Sequence, residues 1–158
     1  MPSFHTVRRV PYTPRQMFDL VADVERYPEF LPLCEGLTLR SRQEIEGRTV
    51  LVARMTAGYQ AIREHFTTRV TLVPDENRVL VEYLDGPFRH LENRWTFRAV
   101  PGGTDVDFFI EYEFKSRMLG LLVGALFDKA FRRFAEAFEA RARTIYGYRP
   151  PTAMPYPA

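Results

Sequence analysis

Three polar side chains interrupt strand-like runs that are otherwise apolar, and they are the residues of this chain best placed to do chemistry in an interior. Asn93 stands between Leu91 and Trp95 at the two-residue spacing of one strand face, and Glu64 and Tyr112 hold similar positions in two other runs. A polar group in an apolar interior costs about 1–3 kcal/mol unless it finds a hydrogen-bond partner. Asn93 and Glu64 therefore either satisfy structural hydrogen bonds, lie at a strand edge, or anchor a ligand headgroup with help from Tyr112.

Residue types that build metal sites and catalytic centres are not spaced for either purpose. The histidines His5, His65 and His90 are scattered along the chain. Cys34 is the single cysteine, which rules out an internal disulfide and a cysteine-cluster metal site. The sequence has no glycine-rich phosphate loop and no arrangement that nominates a Ser-His-Asp triad. We therefore expect no enzyme, no metal and no catalytic cofactor.

The composition favours one domain with a large apolar interior. The chain has 158 residues, of which 14% are aromatic, including thirteen phenylalanines. Its net charge is only +2, and basic residues are interleaved with acidic ones, so nothing predicts a DNA-binding arm. The N-terminus lacks the apolar segment of a signal peptide. These features predict a cytoplasmic protein without a membrane span.

The elements that must position the polar residues follow from the hydrophobic periodicity. A strand is expected at Ser3–Val10, followed by a helix pair over residues 14–32, which opens with the capping box Thr13-x-x-Gln16. From Leu37 onward the apolar period is two, and successive hairpins predict six further strands. The expected fold is α+β: a curved antiparallel sheet of about seven strands, wrapped around a long C-terminal helix, with a short helix pair after the first strand.

The long C-terminal helix is expected over Met118–Tyr146, and its first ten residues, 118–127, form an unbroken apolar run. That run is too short to span a bilayer, which needs about 20 residues. Because it is apolar on every side, it is either a buried helix start or the wall or gate of a ligand cavity that touches a membrane. Residues 1–146 are expected to form the single domain, and the proline-rich segment 147–158 a disordered tail.

A strongly curved sheet that grips one helix leaves a gap between the two, and side chains facing that gap are the predicted ligand contacts. The expected apolar walls are Leu39, Leu51, Met55, Ile62, Phe66, Leu91, Trp95, Phe97, Phe108, Ile110, Leu122 and Leu126. The expected polar anchors are Asn93, Glu64 and Tyr112.

The segment from Asp23 to Cys34 carries a recognisable motif. It reads Asp-Val-Glu-Arg-Tyr-Pro-Glu-Phe-Leu-Pro-Leu-Cys and resembles the Asp-Val-x-x-Tyr-Pro-x-Phe-Leu-Pro-x-Cys signature of the coenzyme Q-binding, START-like family. Residues 86–97 and 110–116 resemble two further stretches of that family, and the similarity runs in order from about Ser3 to Tyr146.

The resemblance implies a helix-grip fold with a ligand cavity under the C-terminal helix. It also implies that the helix pair covers the cavity mouth as a lid, shaped by the signature residues Tyr27, Pro28, Phe30 and Leu31. Family members are associated with ubiquinone binding and respiration and act as lipid chaperones rather than catalysts, so the implied ligand is ubiquinone or a related polyprenyl lipid. Exchange of such a lipid implies transient peripheral contact with the inner face of a membrane. Lys115, Arg117 and Lys129 flank the apolar helix run and could touch anionic lipid there.

Two alternatives remain open beside the carrier. Some bacterial relatives are described as ribosome-association toxins that bind the large ribosomal subunit and block subunit association. That subunit is thus an alternative partner, with a potential outward footprint of Arg40, Arg42, Arg94 and Arg98. The broad superfamily also includes polyketide-cyclase enzymes, for which an acid/base pair inside the cavity is needed. Glu64 and Tyr112 are the only credible pair.

Overall fold

Within residues 2–149, which the computed structural model describes, the chain forms a seven-stranded antiparallel sheet and three α-helices. The strands lie in the order β1-β7-β6-β5-β4-β3-β2. In chain order the elements are β1 (Ser3–Val10), α1 (Pro14–Ala22), a 3₁₀ segment (Val24–Glu29), β2 (Cys34–Ile45), β3 (Arg48–Tyr59), β4 (Ile62–Val73), a 3₁₀ turn (Pro74–Glu76), β5 (Arg78–Asp85), β6 (Phe88–Val100), β7 (Gly103–Phe114), α2 (Arg117–Arg132) and α3 (Phe134–Tyr146).

The period-two pattern of the sequence sets which face of the sheet is buried. On β7, Val106, Phe108, Ile110 and Tyr112 are buried while the residues between them are half-exposed. Phe108 pairs across the sheet with Trp95 of β6, and the two rings lie 4.6 Å apart. One face of the sheet therefore carries the aromatic core, and the three α-helices pack on it. This confirms the expected α+β, START-like architecture.

The predicted helix pair is present as an α-helix followed by a shorter 3₁₀ segment. Thr13 and Gln16 make the predicted reciprocal capping bonds at the start of α1, whose buried face is Met17, Phe18 and Val21. The chain then continues as a six-residue 3₁₀ segment that contains Pro28, rather than as a second α-helix. Proline lacks the N–H that an α-helical turn needs and restricts the residue before it, so the tighter, shorter segment is the result.

The C-terminal helix is divided in two, where the periodicity predicts one continuous helix. The N–H of Arg133 bonds to the carbonyl of Ala130, an i→i−3 contact that separates α2 from α3. The buried face of α2 includes Val123, Phe127 and Phe131, and α3 buries a face of its own. Of the predicted tail, residues 147–149 follow α3 without regular structure, and residues 150–158 lie outside the described residues.

Candidate functional site

An apolar cavity of about 80 Å³ lies between the buried face of the sheet and the helices. Met55, Phe66, Leu91, Trp95 and Ile110 supply predicted parts of its sheet wall. From the helical side it is closed by Phe127, Ala130, Phe131, Phe134 and Phe138, and residues 24–34 contribute Val24, Tyr27, Leu31, Pro32, Leu33 and Cys34. The expectation of an apolar chamber under the C-terminal helices is therefore met, although the chamber is small.

Several predicted wall residues lie elsewhere. Leu51, Phe97 and Phe108 are buried in the core but do not line the cavity. The strands are longer than the cavity, so inward-facing positions beyond its ends pack against α1 and α3 instead. Leu39 is half-buried and also outside the lining, because the register of β2 against β3 shifts between Leu39 and Ser41.

Leu122 and Leu126, the two predicted ligand contacts on α2, do not line the main cavity because of the rotational orientation of the helix. Phe127 and Phe131 face the cavity, which turns Leu122 outward, where 70% of its surface is exposed. Leu126 lies at the side of the helix and lines a separate crevice of about 10 Å³ against the β3–β4 hairpin. Ile62 and Glu64 line that crevice rather than the main cavity.

The three proposed polar anchors are not brought together. Asn93 lines the cavity, but its Oδ1 accepts the indole N–H of Trp95 at 3.0 Å and its Nδ2 donates to the Phe109 carbonyl at 2.9 Å. The indole can only donate, so the amide orientation is set. Asn93 thus makes structural hydrogen bonds, and it keeps one N–H and one lone pair for a further partner.

Tyr112 is buried against aromatic rings and does not line the cavity. Its ring packs edge-on against Phe131 at 5.0 Å, and burial, with a smaller contribution from Asp128, raises its pKa to about 12. Glu64 lies in the crevice near the hairpin end. The pair that a cyclase-type mechanism would need is therefore not assembled inside the cavity.

The cavity contains two polar residues that the sequence reading did not nominate as contacts. Thr68 of β4 is buried and lies between the lining residues Phe66 and Val70. This is the same strand spacing that identified Asn93, so the signal was present in the sequence. Cys34 lines the opposite side, and burial raises the pKa of its thiol to about 11. The high pKa indicates an unreactive thiol.

Residues 24–33, called the lid below, close the cavity from outside. Tyr27 and Leu31 line the cavity, and the Tyr27 hydroxyl donates to the Val21 carbonyl. Burial raises the pKa of Tyr27 far above its ordinary value, which keeps the phenol neutral. Phe30 packs on Phe138 with ring centroids 5.0 Å apart, and Pro28 lies inside the 3₁₀ segment. Of the four predicted lid residues, Tyr27 and Leu31 line the cavity, whereas Pro28 and Phe30 do not.

One ion-pair cluster fastens the lid to α3. The Glu29 carboxylate accepts from Arg141 at 2.6 Å and from Arg26 at 3.0 Å. These hydrogen bonds hold the pKa of Glu29 below its usual value. The Arg141 guanidinium also lies 5.0 Å from the Phe30 ring centroid. Because the carboxylate is exposed to water, this latch is weak enough to open.

A second group of side chains could hold a cation, contrary to the expectation from histidine spacing. Atoms of His90, Glu92 and Glu111, on neighbouring strands, lie within 4.8 Å of one another on the outer face of the sheet. Glu111 already bonds to His90 at 2.9 Å, and Glu92 pairs with Arg94 at 3.0 Å. Glu92 thus already has an arginine as its ion-pair partner, and Glu111 already has a hydrogen-bond partner in His90.

No helix in residues 2–149 has the length and apolar character needed to cross a membrane.

Comparison with known proteins gives relatives that are named as toxins and a relative that is named as a coenzyme Q-binding protein. Over 148 residues the chain is 32% identical to the ribosome association toxin RatA of Rickettsia prowazekii, covering 92% of this chain and 99% of the relative. Over 137 residues it is 32% identical to the mitochondrial coenzyme Q-binding protein COQ10 homolog B of Xenopus laevis, covering 84% of this chain and 54% of that protein.

Solved structures and a family model agree with these relatives. The solution structure of an 18 kDa protein from Caulobacter crescentus is 35% identical and superimposes with a TM-score of 0.76, over 94% of this chain and all of the other. Residues 10–139 match the family described as polyketide cyclase / dehydrase and lipid transport. The match includes strands β2 to β7, the lid and helix α2, so the chain belongs to the polyketide cyclase / dehydrase and lipid transport family, with the START-like fold.

Proposed function

We propose that this protein binds ubiquinone or a related polyprenyl lipid in the cavity under the lid, and acts as a lipid chaperone that supports respiration or quinone biosynthesis. The observation that carries the proposal is the cavity itself, whose walls are almost entirely aliphatic and aromatic. The relative named as coenzyme Q-binding supports the choice of ligand class. A carrier needs no acid/base pair, in accord with the separation of Glu64 from Tyr112.

The size of the cavity requires the protein to open when it binds. A cavity of about 80 Å³ is smaller than the engineered cavity of about 150 Å³ that accepts benzene, and ligand pockets usually measure about 300–1,000 Å³. The lid is the element whose displacement would enlarge the space most directly, because it is fastened to α3 by the ion pair between the exposed Glu29 and the half-buried Arg141. The bound state in this proposal is therefore an opened conformer.

Affinity must come from the headgroup and from shape rather than from the tail. A prenyl tail leaves one apolar environment for another when it moves from a bilayer to a protein, so the gain of about 25 cal/mol/Å² largely cancels. The remaining N–H of Asn93 is a donor for a quinone carbonyl, and the hydroxyl of Thr68 is another.

The test uses the single tryptophan of the chain. Trp95 lines the cavity, so a quinone bound there should quench its fluorescence. Delipidated protein is titrated with a short-chain ubiquinone, and the expected result is saturable quenching. Mass spectrometry of lipids extracted from the natively purified protein should then identify a prenyl lipid. Absence of both saturable quenching and any extracted prenyl lipid would refute the proposal.

A second candidate function is regulation of the ribosome, favoured by the nearly full-length similarity to proteins named ribosome association toxin. The arginine footprint expected from sequence is divided in the structure. Arg94 and Arg98 lie on β6 and pair with Glu92 and Asp107, whereas Arg40 and Arg42 lie on β2 at the sheet edge.

A smaller basic surface fits this second candidate better. Arg40 and Arg54 lie on the adjacent strands β2 and β3, and among the described residues neither forms an ion pair. The candidate predicts salt-sensitive co-sedimentation with large ribosomal subunits, weakened by Arg40→Glu with Arg54→Glu. Unchanged subunit profiles on overexpression of the protein would contradict it.

A further inference from the structure

Helix α2 has a second apolar face that points away from the protein. Met118, Leu121 and Leu122 are 71%, 83% and 70% exposed. Together with the exposed Ala125 they are spaced i, i+3, i+4 and i+7, which places them on one side of the helix. The buried side, which includes Phe127, faces the core. The outer side, called the α2 stripe below, has no partner within residues 2–149.

The end of the β3–β4 hairpin lies beside this helix and adds to the apolar surface. Tyr59 is 48% exposed and Ile62 is 37% exposed, and both line the narrow crevice between the hairpin and α2. Val123 and Leu126 form the helical side of that crevice. The β3–β4 hairpin and the α2 stripe therefore form adjoining apolar surfaces on either side of this crevice.

The crevice adjoins the ligand cavity. Leu33, Ala57 and Phe127 line both of them. A mostly apolar path, in which Glu64 is the one charged residue, thus leads from the exposed hairpin tip through the crevice to the interior. A prenyl chain could follow this path after displacement of side chains alone, chiefly Phe127 and Leu126.

Basic residues surround the stripe. Lys115 and Arg117 precede it, and Lys129 lies one turn beyond Ala125 on the same side of α2. All three are exposed, and among the described residues none forms an ion pair with a carboxylate. In contrast, Arg132 in the last turn of α2 is neutralised by Asp128 at 2.9 Å. This arrangement suits the interface of an anionic bilayer, where apolar side chains enter the acyl region and cations contact the anionic headgroups.

We infer that the α2 stripe and the β3–β4 hairpin dock on an anionic lipid bilayer, and that the ligand passes between bilayer and cavity through the crevice between them. This inference rests on the proposed lipid-binding function. It assigns the lid a different task, which is to make room inside the protein while the ligand enters at the crevice. The ten-residue apolar run is too short to span a bilayer, so docking is superficial.

The experiment measures co-flotation of the full chain with vesicles of phosphatidylcholine containing phosphatidylglycerol, and with vesicles of phosphatidylcholine alone. We expect binding to the anionic vesicles that weakens with salt. Leu121→Glu should abolish it, and Lys129→Gln should weaken it on the order of fivefold, the effect of about 1 kcal/mol per basic residue at an anionic surface. The matched control is Ile145→Glu, at a half-exposed apolar residue of α3, which should bind normally.

Two further readouts separate this inference from the function on which it rests. Quenching of Trp95 by a short-chain quinone added from solution should be the same in Leu121→Glu as in the unaltered protein, while uptake of long-chain ubiquinone from vesicles should be slower. Normal flotation of Leu121→Glu would overturn the docking inference. Absence of both quenching and an extracted prenyl lipid in the unaltered protein would overturn the proposed function and leave docking standing.

The same variant would also reveal a different partner for the α2 stripe. If the unaltered protein is a dimer that Leu121→Glu converts to a monomer, the stripe is an interface between two copies of the chain. If flotation is absent and large ribosomal subunits bind the unaltered protein but not Leu121→Glu, the stripe belongs to the ribosomal candidate. Either outcome refutes the bilayer as its partner.

Discussion

Filling the cavity should stabilise this protein and prevent ligand binding at the same time. Ala130 lies on α2, is 6% exposed, and lines the cavity. Leucine at this position keeps a good helix former and adds three carbon atoms that can extend into the cavity. The leucine of Ala130→Leu thus occupies space that a ligand would need and gains van der Waals contacts with the cavity walls.

The size of the effect follows from the cavity volume. Residual cavities cost about 24 cal/mol per Å³, so a cavity of about 80 Å³ corresponds to about 2 kcal/mol of missing packing energy. That is the upper limit for Ala130→Leu, because the leucine fills only part of the space. In a chain of this length the limit corresponds to a rise in Tm of about 4–8 °C.

The assay is chemical denaturation of the ligand-free protein, together with quenching of Trp95 by a short-chain quinone. The matched control is Ala142→Leu, at a fully buried alanine of α3 that does not line the cavity. Overpacking at that site should destabilise the protein by about 1–3 kcal/mol. Loss of stability in Ala130→Leu as large as in the control, or unchanged quinone affinity in a stabilised Ala130→Leu, would refute the reasoning that this space is the binding site.

Three further outcomes are expected. Gly124→Ala should stabilise the protein by about 1 kcal/mol in denaturant unfolding, because a Cβ built there meets nothing within 4 Å and alanine favours the helix; a loss of stability would show that the helix needs the glycine. Cys34, with its pKa raised to about 11, should be about one part in a thousand thiolate at pH 8, so iodoacetamide labelling followed by mass spectrometry should be slow; rapid labelling would mean an open lid. Glu29→Gln should speed that labelling by releasing Arg141, whereas Glu25→Gln should not. The same latch should hold at neutral pH, because the pKa of Glu29 is lowered, and should be lost only as pH falls through that lowered value; an acid titration followed by Trp95 fluorescence is the measurement.

Much of the fold could be predicted from the sequence because its determinants are local. The Thr13–Gln16 capping box, the two-residue alternation of β6 and β7, and the Glu46–Gly47 turn, where both residues have positive φ, are each specified by residues close together in the chain. The apolar surplus at the start of α2 was also visible, since no single buried face can absorb such a run.

The site was only partly predictable, because a cavity is defined by where elements end and how they rotate against one another. Periodicity identified the inward face of each strand and so found Met55, Trp95 and Ile110. It could not find how far the cavity extends along each strand, so Leu51 and Phe97 were placed in its wall.

The amino-acid order by itself determined the strand pattern, the apolar interior and the presence of an amphipathic, partly two-faced terminal helix, because these depend on spacing along the chain. Only the tertiary structure decided that Leu122 points outward and that the Asn93 side-chain carbonyl accepts a hydrogen bond from Trp95. It also decided that Glu29 pairs with Arg141, which lies 112 residues away in the chain. Such contacts depend on rigid packing between elements distant in sequence. If a helix rotates about its axis by the angle between two successive residues, a side chain moves from the cavity wall to the surface, while the hydrophobic pattern of the chain stays the same.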